Sequence, residues 1–231
     1  KILVLMEVKE ENKEEYEIHG DFSQDTISAK YDELCRNYEE VYNSVGWPDP
    51  VQCAEKAIEN GFTGESHVLD MGCGTGLVVD YLKEKSGAET VNAIGIDASE
   101  GMLKKAKAKG LYSEIRNFLL CNPENFNTNH SDLLGKFDFV TASGLLAEGH
   151  ATPDVFDEMI GALKVGGYAI FTSRIEYLEP LNYQKGMDER VESGEWEFVK
   201  KEEYEKYSKA KDCPLGRFKP VMSEVFVFRK L

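Results

Sequence analysis

Cysteine, histidine and basic residues are all scarce in this chain, and each scarcity removes a class of function. The five cysteines (Cys35, Cys53, Cys73, Cys121 and Cys213) are odd in number and scattered, with neither CxxC pairs nor Cys/His clusters at zinc spacing. That argues against a disulfide framework and fits a reducing, cytoplasmic compartment. The four histidines (His19, His67, His130 and His150) show no HExxH or paired spacing, so no protein-bound metal is expected. Long apolar runs are missing as well. The opening Ile2 to Met6 is far too short for a membrane span and lacks a signal peptide's cleavage pattern. The chain begins at Lys1 rather than a methionine, which leaves the true N-terminus and any targeting signal open. Twenty-seven basic residues against forty-two acidic ones leave a formal charge of −15, which argues against a broad nucleic-acid face or an anionic membrane surface. Small molecules and proteins stay open as partners.

What is present is enough for an unaided core. With 231 residues, 42% of them hydrophobic and 11% aromatic, one large domain or a core with an added cap is expected. Residues 1–25 read as an acidic arm, with a charge run over 7–17 and a short strand over Ile2 to Met6. From Thr26 to Ile58, Tyr31, Leu34, Cys35, Tyr38, Val41 and Tyr42 recur at three and four. Gly46-Trp47-Pro48-Asp49-Pro50 then breaks the run, which predicts a two-helix cap over residues 26–66.

From His67 onward strand and helix alternate, the signature of a parallel sheet with helices on both faces. Strands are expected at His67 to Met71, Val91 to Ile96, Arg116 to Leu120, Phe137 to Ala142 and Tyr168 to Ser173. Two more are expected at Trp196 to Lys200, followed by a polar loop, and at Glu224 to Arg229. Helices are expected at Leu77 to Lys85, Ser99 to Lys109 with Gly110 as its stop, Val155 to Leu163 and near Leu181 to Glu192. Lys104, Lys105, Lys107 and Lys109 read as a solvated face, because Met102, Leu103 and Ala106 take the buried side.

The most specific segment is His67-Val-Leu-Asp-Met-Gly-Cys-Gly-Thr-Gly76, a strand running straight into three alternate glycines and then a helix. Glycines there let a ligand meet bare backbone at a helix N-terminus. The dinucleotide fingerprint GxGxxG, counted from Gly72 and Gly74, fails at Leu77. Asp70 would oppose a pyrophosphate but could serve an ammonium group, and S-adenosylmethionine (SAM) has an amino-acid end, a sulfonium and no phosphate. Twenty-one residues after Gly76, the strand Ala93-Ile-Gly-Ile-Asp97 ends in an acid that can accept both hydroxyls of a ribose.

Asp70-Met-Gly-Cys-Gly-Thr-Gly76 followed by Gly95-Ile-Asp97-Ala-Ser-Glu-Gly-Met102 resembles the class I SAM-dependent methyltransferases. Further segments are similar to the methyltransferase-like proteins named after the Williams-Beuren syndrome region: Tyr31-Asp32, Tyr38-Glu39, Gly144-Leu-Leu-Ala-Glu-Gly-His150 and Leu163-Lys-Val-Gly-Gly-Tyr-Ala-Ile-Phe-Thr-Ser-Arg174. The resemblance implies an α/β, Rossmann-like fold: a seven-stranded, mostly parallel sheet with a reversed final hairpin, helices on both faces and an N-terminal helical cap. It implies a SAM-binding core over residues 67–231. In that core Asp70, Gly72, Cys73, Gly74 and Gly76 lie along the methionine end, Asp97 and Ala98 hold ribose, and Met102 packs on adenine. It also implies that Asn122 approaches the adenine amino edge and that Ser143 and Gly144 lie under the sulfonium.

The expected function is SAM-dependent methyl transfer, with S-adenosylhomocysteine as product, to a small molecule or a protein side chain. A catalytically silent SAM-binding or interaction subunit is the alternative, and a nicotinamide oxidoreductase is disfavoured by Leu77 and Asp70. Holding donor and acceptor in line is the protein's main task in such a transfer, and a general base adds to it if the acceptor is a hydroxyl or thiol. His150, after the fourth strand, is the first candidate base and Glu148 the second. His150 can equally be a loop residue bonded to a carbonyl. Tyr31 and Tyr38, seven apart, either close over SAM or pack the cap on the sheet, and Trp47 either lines the acceptor pocket or anchors the cap. The acidity is uneven: residues 1–66 carry sixteen acids and six bases. An arm and cap overhanging the acceptor entrance with that excess would favour cationic or neutral acceptors.

Overall fold

The protein is described by a computed structural model covering residues 23–210 and 218–231. The expected strand at Ile2 to Met6, most of the acidic arm, His19 and Cys213 lie outside the described residues.

Seven strands form one sheet in the order β3-β2-β1-β4-β5-β7-β6. They are β1 (His67–Met71), β2 (Asn92–Asp97), β3 (Glu114–Asn117), β4 (Phe137–Leu146), β5 (Leu163–Arg174), β6 (Trp196–Lys206) and β7 (Val221–Lys230). The first five run parallel, and β7 lies antiparallel between β5 and β6. This is the expected seven-stranded, mostly parallel sheet with its reversed hairpin. The polar loop expected after Lys200 is instead the second half of β6, an edge strand on which Lys201, Glu202, Glu203 and Glu205 are exposed.

Successive strand residues bury on opposite faces, as a pleated strand requires. Leu69, Val140, Phe171, Phe226 and Phe228 join a core with α7 (Val155–Ala162) and α9 (Tyr183–Glu192). Val68, Phe139, Ile170, Val225 and Val227 join another with α3 (Asp49–Glu59) and α4 (Leu77–Ser86). The remaining helices are α1 (Ile27–Leu34), α2 (Tyr38–Val45), α5 (Glu100–Lys109), α6 (Pro123–Asn129) and the single-turn α8 (Ile175–Leu178).

The N-terminal segment therefore holds three helices rather than two. Residues 35–37 separate Tyr31 from Tyr38, and α3 packs into the sheet's own helical layer through Cys53, Ala54 and Ala57. Only α1 and α2 form a small separate cluster, with Met102, Tyr207 and Phe218. They are docked by Asp32, whose carboxylate accepts from the Ser99 hydroxyl at 2.6 Å and the Gly101 N–H at 2.8 Å at the N-terminus of α5. Negative charge is favoured at that helix end. The Ser28 hydroxyl donates to the Ala98 carbonyl at 2.9 Å beside it.

The strand order reverses between β1 and β4, and ligands of such sheets bind at that switch point, outside the carboxyl ends of the strands. Asp70 pins the two strands there. It is fully buried, and its two oxygens accept from the Thr141 hydroxyl of β4 at 2.8 Å and from the Tyr112 hydroxyl at 2.7 Å. A Cβ at Gly76 or Gly95 would stand 3.0 Å from the Tyr112 ring, so these two glycines make room for a tyrosine.

Burial pushes the Asp70 carboxyl up from 3.8 to about 6, partly offset by the Tyr112 and Thr141 bonds. The folded protein then holds this proton more tightly than the unfolded chain, so the group's contribution to stability is complete below about pH 4 and fades as pH rises through about 6. Asp70→Asn is expected to remove that decline. Urea unfolding from pH 4 to 7 checks it, and a variant whose stability falls with pH as steeply as the parent's would contradict the assignment.

Candidate functional site

A crevice of about 680 Å³, part of it open to solvent, lies over the carboxyl ends of β1, β2 and β4. Its wall carries Tyr31, Tyr38, Gly72, Gly74, Asp97, Ala98, Met102, Ser143, Gly144 and His150, so the structure brings together ten of the residues singled out from the sequence. Gly74 has a positive φ of 53° and no heavy atom within 4 Å of where a Cβ would sit. It is the glycine of the loop that offers bare backbone to a ligand.

Asp97 ends β2 with its carboxylate in the wall. One oxygen accepts from the Gly74 N–H and the other from the Ser99 N–H, both at 2.9 Å. Each oxygen keeps a further lone pair, the arrangement needed to accept two vicinal hydroxyls. Burial raises the Asp97 pKa above the usual carboxylate value, against the pull of its backbone N–H donors.

Four expected contacts fall elsewhere. Asp70 lies beneath the glycine loop with both oxygens already engaged, so it shapes the loop and does not face the crevice. Gly76 abuts Tyr112. The Asn122 side chain caps α6, accepting from the Asn125 N–H at 3.0 Å, instead of reaching toward a base. Cys73 is absent from the crevice wall and lines a smaller hollow of about 270 Å³ on the other side of the loop. That hollow runs between the cap and the loop and is also lined by Trp47, Thr75 and Ser143. The Trp47 Nε1 and Ser143 Oγ atoms, like the Thr75 Oγ1, are buried with no hydrogen-bond partner among the described residues. Buried polar atoms are normally paired, so these orphans in one hollow mark a place for a polar ligand group.

The expected strand to Leu120 stops at Asn117, and Phe118, Leu119, Leu120 and Cys121 form crevice wall instead. Leu119 is 47% exposed, as an apolar surface awaiting a flat ligand would be. This segment hangs from Glu158 of α7, whose carboxylate accepts the N–H groups of Cys121 at 3.0 Å and Asn122 at 2.9 Å. Burial raises Glu158 to about 7. Cys121 takes a φ of 77°, rare for a non-glycine residue. No periodicity announces Glu158; the only sequence signal was the apolar run after β3.

Beyond Gly144 a second chamber opens, about 1280 Å³ with its open mouth, and Tyr31, Tyr38, Gly144 and His150 line both spaces. His150 Nδ1 lies 2.8 Å from the Glu148 carbonyl, which can only accept, so that nitrogen carries the proton. Nε2 therefore presents its lone pair to the Tyr31 hydroxyl, 2.8 Å away, and Tyr31 donates. The loop reading of His150 holds, since it bonds a loop carbonyl, and that bond also orients the ring at the junction of the two spaces. Burial lowers its pKa to about 4, with smaller contributions from Lys206 and Arg174. Burial likewise raises Tyr31 far above an ordinary phenol. Glu148 is exposed on the wall of the second chamber. Tyr31 and Tyr38 sit on separate helices with their rings 6.1 Å apart, packing the cap and lining the crevice together. Lys109 of the lysine run is tied to Glu39 at 2.8 Å, and Lys104 is exposed.

Residues 68–167 match the family model described as a methyltransferase domain. Methyltransferase-like protein 27 of Homo sapiens is 29% identical over 175 residues, covering 72% of this chain and 66% of that protein. The carboxy-S-adenosyl-L-methionine synthase of Wolinella succinogenes is 35% identical over 68 residues, covering 29% of this chain and 28% of that protein. The chain thus spans less than two thirds of the length of these curated relatives. A solved likeness is the methyltransferase in complex with the Haloferax volcanii Trm112 methyltransferase activator, with a TM-score of 0.60 at 13% identity, covering 87% of this chain and 97% of that one; the likeness is one of fold. With β7 reversed between β5 and β6 and a glycine loop feeding an acid at the end of β2, residues 68–167 carry a methyltransferase domain within the fold of the class I SAM-dependent methyltransferases.

Proposed function

We propose that this protein transfers a methyl group from SAM to a small-molecule acceptor. The observation that carries the reading is the pair of chambers meeting at Tyr31, Tyr38, Gly144 and His150, one suited to the donor and one left for an acceptor. In the first, Asp97 would take the ribose hydroxyls, Met102 and Phe118 to Leu120 would face the adenine, and Gly74 would meet the amino-acid end at its backbone. Ser143 and Trp47 would give that polar end the hydrogen bonds they now lack. SAM supplies a methyl already activated on a sulfonium, so the protein's part is to hold an acceptor in line and to take its proton.

Tyr31 and His150 form the proton path. An acceptor hydroxyl becomes strongly acidic as its oxygen bonds to the methyl carbon. Even a weakly basic imidazole can then receive the proton, relayed through the Tyr31 hydroxyl as Tyr31 donates to Nε2. A deep, walled chamber favours a small acceptor over a protein side chain, and an exposed Glu148 is placed to meet the acceptor rather than the donor. Four free cysteines among the described residues support work in a reducing, cytoplasmic setting, and no described helix is long and apolar enough to cross a membrane.

Asp97→Ala is expected to weaken SAM binding more than tenfold by calorimetry, about 1.4 kcal/mol or more. An unchanged affinity would show that the ribose does not bind there. With radiolabelled SAM and a metabolite extract as acceptor source, His150→Gln and Tyr31→Phe are each expected to lower turnover by about 10² while SAM affinity stays put. The parent's rate is expected to stay level from about pH 6 to 8, because the imidazole titrates near 4. An acid limb near 6.5 that disappears in His150→Gln would contradict the buried dyad, and turnover equal to the parent's in both variants would remove it from the mechanism. SAM binding without turnover on any extract would favour the silent subunit.

A further inference from the structure

The second chamber holds basic groups that the net charge of the chain does not suggest. Among the described residues two cations line it, Arg174 at the end of β5 and Lys206 at the end of β6, together with the acids Asp49 and Glu148. Both stand against the ring of Tyr207, the Arg174 guanidinium carbon 5.4 Å and the Lys206 Nζ 5.2 Å from its centroid. Lys206 is buried and paired at 2.7 Å with Asp49, itself 1% exposed, which balances one of the two charges. Among the described residues Arg174 pairs with Glu176, whose side chain is 57% exposed, and the other acid on the chamber wall, Glu148, is exposed as well. Pairs with such exposed carboxylates are screened by water and weak. Arg174 is thus the cation on the chamber wall with no buried carboxylate beside it among the described residues, whereas Lys206 has Asp49.

The arginine is also set up geometrically. Its guanidinium lies against two rings, 5.2 Å from the Tyr177 centroid on one side and 5.4 Å from that of Tyr207 on the other. Both its bond to Glu176, at 3.1 Å, and its bond to the Tyr177 hydroxyl, at 3.0 Å, leave from Nη1, and it is also bonded to the Tyr207 side chain. A guanidinium has five N–H donors in a planar fork that matches a carboxylate two bonds at a time. Tyr207 is built in at a φ of 62°, outside the usual range for a tyrosine, and its N–H is fixed to the Gly46 carbonyl at 2.8 Å. Backbone strain of this kind persists where surrounding structure enforces it, commonly beside ligands. The wall opposite is aromatic: Tyr42 lies 4.4 Å from Tyr38 and 4.6 Å from Trp47, centroid to centroid, and all three line the chamber.

We infer that the methyl acceptor is a small, flat carboxylic acid, bound as a monoanion with its carboxylate on Arg174 and its body against the Tyr38, Tyr42 and Trp47 rings. This rests on the methyltransferase reading and names the substrate class for the same site. One carboxylate gives the guanidinium the close partner it lacks among the described residues. A dianionic phosphate would add a second negative charge to a wall that already holds Asp49 and Glu148, and an ammonium would face Arg174 with only the exposed Glu148 to offset it. The acidity of the cap had suggested a cationic or neutral acceptor; the groups lining the chamber overrule it, because charges at contact distance outweigh charges screened by solvent.

Four probes of one shape test the inference: benzoate, benzamide, benzylamine and phenyl phosphate, titrated into the full chain by calorimetry with and without saturating S-adenosylhomocysteine. Benzoate is expected to bind with a Kd below about 10 mM, and the other three at least tenfold more weakly. In Arg174→Gln, benzoate binding is expected to fall at least tenfold while the affinity for S-adenosylhomocysteine, whose proposed crevice Arg174 does not line, stays within twofold. Arg174→Lys keeps the charge without the fork and is expected to recover part of the loss. The inference is overturned by benzamide, benzylamine or phenyl phosphate binding as tightly as benzoate, by no benzoate saturation up to about 10 mM, or by equal benzoate affinity in Arg174→Gln. Loss of S-adenosylhomocysteine binding in the parent would instead strike the methyltransferase reading, while the benzoate series measured without it still decides the substrate class.

Discussion

The site depends on one buried carboxylate. Asp70 joins the end of β1 to Thr141 of β4 and to Tyr112 ahead of β3, directly beneath the glycine loop. An ionised group away from water is costly unless its lone pairs are used, and two hydroxyl donors at 2.8 and 2.7 Å use them. The consequence passes along the chain. Tyr112, anchored through its hydroxyl, fills the space that Gly76 and Gly95 leave, which fixes where the loop must turn. The turn brings the Gly74 N–H to Asp97, and with it the ends of β1 and β2 are joined from above as well as below. Gly74 is left facing open space because its neighbours on either side are packed.

The cap meets this rigid base through electrostatics at a helix end. Helices of eight residues such as α1 and α2 have little stability alone, so they exist by docking. Asp32 supplies the charge at the start of α5, one residue beyond the Asp97–Ala98 turn that borders the crevice. The contact that holds the cap down is therefore next to the group proposed to hold the ribose, and Tyr31, one residue before Asp32, reaches His150 from the same helix. Closing the crevice and completing the Tyr31–His150 pair are a single packing event.

Much of this was legible in the sequence because it depends on local chemistry. Alternating apolar runs fixed the strands, the loop of alternate glycines marked the end of β1, and an acid at the end of β2 marked the crevice, where Asp97 indeed stands. What was not legible depends on partners far apart in sequence. Nothing near Tyr112 signals that it will bond Asp70, forty-two residues away, and take over the room of two glycines. Asp70 was read as a ligand contact because an acid before a glycine loop has no local signal telling a face from a foundation. Asn122 was read toward a base, yet a Pro at the next position starts α6 and makes Asn122 its cap. Phe118 to Leu120 looked like strand because an apolar run carries no mark of whether protein or ligand will cover it. The extra N-terminal helix was hidden because residues 35–37, which divide α1 from α2, hold neither glycine nor proline to mark a break, whereas the Pro-rich break before α3 was plain.

Net charge shows the same division between global and local. A total of −15 is a true statement about long-range repulsion and about the partners that will avoid this surface. It says little about a chamber whose wall holds a buried pair, Lys206 with Asp49, and an arginine whose acid partner among the described residues, Glu176, is exposed to solvent, as is Glu148 on the same wall. Water and salt dissipate the field of surface carboxylates within about 8 to 10 Å, whereas groups inside the chamber act on a ligand at hydrogen-bond range and with less screening. The same two cations also lower the basicity of His150, after burial has done most of it. The cations on that wall would therefore hold an anionic acceptor and keep the imidazole neutral, ready to accept a proton. Binding the acceptor and poising the base would then be two effects of one field.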